Sequence, residues 1–121
     1  MAVILVVEDD LLIREMTEMT LEGWGHEVLL ASDTDEALEI LRSPQHLDVL
    51  FTDLTLKAAV FGGFDVAHQA LALRPYLDVL YTTGNSITQE MRGMFVEGAE
   101  CLAKPYRNQQ LRDSIERLIA A

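Results

Sequence analysis

From end to end, the chain alternates short apolar runs rich in β-branched residues with stretches of helical periodicity. Few architectures accommodate that alternation; it calls for a parallel sheet whose crossover helices cover both faces. The run from Ala2 to Val7 reads as a first strand. Leu12, Met16, Met19, Thr20 and Gly23 then follow helical spacing, and Gly23-Trp24-Gly25 ends that helix. Glu27 to Ala31 reads as a second strand. Asp33 with Glu36 forms a capping pair ahead of Ala37, Ile40 and Leu41, and Ser43-Pro44 closes the turn. Asp48 to Asp53 is the third strand, and after a long loop a helix through Ala67, Ala70 and Leu71 stops at Arg74-Pro75. A fourth strand from Leu77 to Thr82 precedes a helix carrying Ile87, Met91, Met94 and Phe95. Glu100 to Ala103 is the fifth strand, before a last helix with Leu111, Ile115 and Leu118 on one face.

The strand ends carry the chemistry. The first runs into Glu8-Asp9-Asp10, the third closes on Asp53, the fourth on Thr82-Thr83-Gly84 and the fifth on Lys104-Pro105. Open α/β sheets place their ligand sites at the C-terminal ends of strands. An acid cluster, a lone acid, a hydroxyl and a lysine in that order suit phosphoryl acceptance with Mg²⁺. Asp53 is the candidate nucleophile, since a carboxylate can attack a phosphoryl donor and form an acyl phosphate. A strand-end Asp that merely starts a turn is the plainer alternative, disfavoured by the complementary groups on the other strands. Lys104 should reach Asp53 and then the transferred oxygens, as a point charge stabilising both.

Composition narrows the rest. With 121 residues, half of them apolar, there is room for one domain over 1–121 and no output domain. A formal charge of −11 argues against nucleic-acid binding, which needs a basic footprint. No apolar run is long enough to cross a bilayer, so neither a signal peptide nor an anchor is expected, and the chain reads as cytoplasmic. Cys101 is the sole cysteine, which excludes an internal disulfide. His26, His46 and His68 lack ligand spacing and read as surface or partly buried imidazoles.

The motifs Ile4-Leu-Val-Val-Glu-Asp-Asp10, Phe51-Thr-Asp-Leu54, Tyr81-Thr-Thr-Gly84 and Leu102-Ala-Lys-Pro-Tyr106 together resemble the receiver domain of bacterial two-component response regulators. Leu73-Arg-Pro75 and Lys104-Pro-Tyr-Arg107 look most like receivers associated with hybrid kinases and phosphorelays. The resemblance implies a flavodoxin-like (βα)5 doubly wound parallel sheet, strand order 2-1-3-4-5. It also implies that Glu8, Asp9 and Asp53, with the backbone carbonyl of Thr55, hold Mg²⁺, whose octahedral shell keeps several waters. Asp10 could share that duty or cap the first helix. Thr83 matches the hydroxyl that contacts the phosphoryl group, Gly84 the small residue beside it, and Lys104-Pro105 the cis bond that aims the lysine inward. Thr55 and Asn85 fall where receivers tune access of hydrolytic water.

Three departures qualify the match. Lys57 stands where receivers carry proline, and Gly62-Gly63 comes late, leaving Val60 and Phe61 either packed on the third helix or turned to a partner. Cys101 replaces an aromatic that couples the threonine to the output face, and reads as a buried structural thiol rather than a redox sensor. No output domain is expected after Ala121, and the start at Met1 favours a free-standing protein over a fragment of a hybrid kinase. The expected function is phosphoryl acceptance on Asp53 from a sensor histidine kinase or histidine phosphotransferase, acting on an unknown downstream protein as relay, phosphate sink or switch. A degenerate receiver that binds partners without phosphorylation is the alternative. A phosphatase is disfavoured, because Thr55 stands where its general acid/base would be.

Overall fold

The computed structural model describes residues 1–56, 62–84 and 86–120. In chain order the elements are β1 (Val3–Val7), α1 (Leu11–Gly23), β2 (Glu27–Ala31), α2 (Thr34–Arg42) and β3 (Val49–Asp53). They continue with α3 (Gly62–Leu73), β4 (Asp78–Thr83), α4 (Gln89–Gly93), β5 (Glu100–Ala103) and α5 (Asn108–Ala120). All pairings are parallel and the strand order is β2-β1-β3-β4-β5, the expected doubly wound, flavodoxin-like sheet.

The central strands are buried on both faces, which is why they read as unbroken apolar runs. Ile4 and Leu5 are adjacent in β1 and both fully buried, yet they serve different cores. Ile4, Val6, Val49, Phe51 and Leu80 pack with Leu21 of α1 and Leu111, Ile115 and Leu118 of α5. Leu5, Val7, Leu50, Val79 and Tyr81 face α2, α3 and α4 through Ala37, Leu41, Phe64, Val66, Ala70 and Met91. Each fully buried Leu or Ile contributes about 1.5–3 kcal/mol over leaving it in water. The edge strands β2 and β5 are only half-buried.

Helix ends follow local chemistry. Asp10 caps α1, its Oδ1 accepting the Ile13 N–H at 3.0 Å, which gives that residue the second of its two expected roles. Gly25, at φ +91°, reverses the chain after α1 in a left-handed conformation that other residues rarely adopt. Asp33 caps α2 through the Glu36 N–H at 2.8 Å, while Glu36 reaches back to the Ser32 N–H at 2.6 Å, one residue before the cap.

Two sequence expectations need correction. The stripe of Leu12, Met16 and Met19 faces solvent, at 66%, 58% and 72% exposure, and α1 buries Thr17 and Leu21 instead. Spacing reveals that a stripe exists but not which way it turns. The helix expected to carry Ile87, Met91, Met94 and Phe95 is only Gln89–Gly93, with Thr88 as its cap and Met94 ending it. Phe95 and Val96 leave the helix to pack inward: Phe95 stacks on Phe64 and Tyr81, and the Val96 N–H donates to the Tyr81 hydroxyl.

Candidate phosphoryl-acceptor site

The strand ends converge as their polar termini suggest. Asp53, the last residue of β3, is 7% exposed, and its two carboxylate oxygens are held by different donors. Oδ1 accepts the Thr55 N–H at 3.0 Å, and Oδ2 accepts Lys104 Nζ at 2.7 Å. The same ammonium donates to Glu8 Oε1 at 3.2 Å, a second contact that sequence reasoning did not foresee. Glu8 Oε2 in turn accepts the Asp10 N–H at 3.1 Å. Lys104 precedes a cis peptide bond to Pro105, and its own N–H donates to the Thr83 carbonyl at 2.7 Å.

The electrostatics reflect burial. Glu8 is nearly enclosed, and desolvation raises its pKa above the ordinary carboxylate value despite the Asp10 N–H and the Lys104 charge. Burial pulls Lys104 down, but the hydrogen bond and charge of Asp53, joined by Glu8, outweigh it, so its pKa is raised. Two carboxylates, Glu8 and Asp53, thus meet one ammonium. Asp9 is half-exposed, and its side chain beside Glu8 adds to the rise in the Glu8 pKa.

Among the described residues no three His, Cys, Asp or Glu side chains converge closely enough to form a metal cluster by themselves. Two buried carboxylates already sharing one cation nevertheless form a hard-oxygen donor set that suits Mg²⁺, which retains waters and needs few protein ligands. Thr83 is buried at the end of β4, and Thr55 is exposed above Asp53. Asn85, Lys57, Val60 and Phe61 lie outside the described residues, as does most of the loop before α3.

At the start of α3, Gly63 donates its N–H to the Leu54 carbonyl at 3.1 Å, and a Cβ on it would lie 2.1 Å from the Asp53 carbonyl oxygen. Helix α3 therefore starts directly against the backbone of β3, an approach that only glycine permits. In the sequence the late glycine stands out only as a departure in spacing, which does not reveal this contact. Also missed was Tyr106, which with Ile13 and Thr17 walls a narrow cavity behind Asp53 and meets the Thr17 hydroxyl. Cys101 is half-buried against the α2–α4 core, and desolvation pushes its thiol up to about 11.

Residues 4–116 match the model of the response regulator receiver domain. The chain belongs to that family. It is 30% identical over 118 residues to the transcriptional regulatory protein ZraR of Escherichia coli, covering 97% of this chain and 26% of ZraR. The chain thus spans about a quarter of the length of that relative. A response regulator receiver protein from Sinorhizobium medicae superposes with a TM-score of 0.91 at 27% identity, covering 99% of this chain and 95% of that one. A receiver domain protein from Clostridium thermocellum gives a TM-score of 0.88 at 31% identity, again covering 99% and 95%.

Proposed function

We propose that this receiver accepts a phosphoryl group on Asp53 from a sensor histidine kinase or histidine phosphotransferase. The supporting observation is the Lys104 ammonium fixed between two buried carboxylates, 2.7 Å from Asp53. An Asp53 carboxylate oxygen attacks phosphorus, a P–O bond forms, the donor P–N bond breaks, and the departing imidazole regains a proton from solvent. Lys104 offsets charge on the transferred oxygens, and Thr83 closes the site from β4. Glu8, Asp9 and Asp53, with the Thr55 carbonyl, would hold Mg²⁺. The ion would neutralise phosphoryl oxygens during transfer.

The chain would then act as relay, phosphate sink or protein-binding switch in the cytoplasm, contacting no nucleic acid itself, rather than as a multiple-turnover enzyme. Among the described residues no helix is long and apolar enough to cross a membrane. Intact mass spectrometry after incubation with acetyl phosphate and Mg²⁺ should show one added phosphoryl group, lost in Asp53→Asn and without Mg²⁺. Undiminished labelling of Asp53→Asn would overturn the assignment. No labelling of the wild type by this donor or by a phosphorylated histidine phosphotransferase would favour the phosphorylation-independent binding module.

A further inference from the structure

Thr82 is 4% exposed, and its Oγ1 is buried with no hydrogen-bond partner among the described residues. It pairs with Asp53 in the β3–β4 register. Side chains alternate along strands, so Asp53 lies two residues beyond Phe51 and Thr82 two beyond Leu80, on the side of the sheet that packs against α1 and α5. Glu8 follows Val6 to the same side. The narrow cavity lined by Glu8, Thr17, Asp53, Thr82 and Tyr106 has about 10 Å³ in which the centre of a water-sized sphere can move. That is about the space one water needs, and such a water also needs two to four polar partners. Thr17 already donates to the Ile13 carbonyl at 2.8 Å, which leaves Thr82 and the two carboxylates as the principal claimants.

We infer that this cavity is a single-water site anchored by Thr82 Oγ1, and that Thr82 is a positioning residue for Asp53 acting through that water. The functional half of the inference rests on Asp53 being the phosphoryl acceptor; the water site does not. The Thr82 hydroxyl and the water together satisfy a buried polar group and give the acceptor carboxylate a donor besides Thr55 and Lys104. A donor on that side fixes the orientation in which the carboxylate presents its oxygen to a phosphoryl donor. The cavity is walled by Val6, Phe51, Ile13 and Tyr106 on the α1 and α5 side of the sheet, and its water is assigned to orienting Asp53 rather than to attack on the phosphoryl group.

Wild type, Thr82→Val and Thr82→Ser decide the matter. High-resolution crystal structures should show one ordered water within hydrogen-bond reach of Oγ1 and of the Asp53 or Glu8 carboxylate in wild type and Ser, and none in Val. With acetyl phosphate and Mg²⁺, Val should be labelled roughly tenfold more slowly at saturating donor, with half-saturation unchanged, as expected for one lost hydrogen bond to a charged group. Ser should keep the wild-type rate. No water at Thr82 in the wild type overturns the site. A Val variant as fast as wild type, or a Ser variant as slow as Val, overturns the positioning role. A wild type that is not labelled at all defeats the proposed function and with it the positioning role, while the crystal structures still decide the water site.

Discussion

Replacing Gly63 by alanine tests how tightly α3 is seated against β3. The new Cβ would fall 2.1 Å from the Asp53 carbonyl oxygen, 2.8 Å from Leu54 Cα and 2.9 Å from the Asp53 carbonyl carbon. All three neighbours are backbone, so no side chain can swing aside, and strand and helix must part. Overpacking of this kind costs about 3 kcal/mol, at the upper end of what an added methyl group does in a packed interior. With a urea dependence of about 1.5 kcal/mol per molar, the unfolding midpoint should fall by roughly 2 M. Gly93 provides the contrast: it ends α4, and a Cβ added there would meet nothing within 4 Å. Gly93→Ala should therefore gain about 0.5 kcal/mol by restricting the unfolded chain. A Gly63→Ala midpoint no lower than that of the wild type would refute the close approach.

Individual contacts set the other outcomes. Arg74 is 7% exposed and donates to the carbonyls of Leu41, Ser43 and Gln45, tying the end of α3 to the end of α2. Arg74→Met should cost about 3 kcal/mol in urea unfolding, and Arg74→Lys should recover less than half, because the three carbonyls are met by three separate guanidinium nitrogens and a single ammonium cannot reach them all; full recovery by lysine would contradict the fork geometry. His26 accepts the Ala2 N–H on Nδ1 at 3.0 Å, and burial, with the N-terminal ammonium and Arg112, lowers its pKa below 6.5. The unfolded chain then binds the proton more readily, so this contribution is intact above pH 6.5 and is lost as pH falls through the folded value. An NMR titration midpoint at or above 6.5 would reverse that sign. Cys101, at about 11 against an ordinary 9.0, should react with an alkylating agent at neutral pH roughly a hundredfold more slowly than a free thiol, from thiolate fraction alone. Equal rates would show the thiol to be poised for chemistry.

Much of this molecule is legible in the sequence because its signals are local. Continuous apolar runs mark β1, β3 and β4, since a strand buried on both faces needs no polar alternation. Asp10 and Asp33 announce helix starts because a short side chain next to free N–H groups has one obvious use. The strand-end residues Glu8, Asp53 and Lys104 meet because a parallel sheet brings all its C-terminal ends to one edge. Less legible are features decided by tertiary choice. The outward turn of Leu12, Met16 and Met19 depends on which face α1 offers the sheet, and Thr17 with Leu21 carries that contact. Helix α4 stops early because Phe95 and Val96 find better partners in Phe64 and Tyr81 than in another helical turn. Arg74 looks like a helix-ending residue beside a proline, and only the fold shows the three carbonyls waiting for it.

The sheet also works as a partition. Its two cores touch only through a layer of backbone, so truncations at Ile4 and Leu5, neighbours in the chain, should loosen separate halves of the molecule and add nearly independently. At the mouth of the site that partition narrows to one residue. Thr82 belongs to the α1 and α5 half, and Thr83, a single step further along β4, turns toward the half built by α2, α3 and α4. A change in charge at Asp53 is thus adjacent to two hydroxyls that report to different compartments, and the molecule has two mechanically distinct directions in which such a change can be felt.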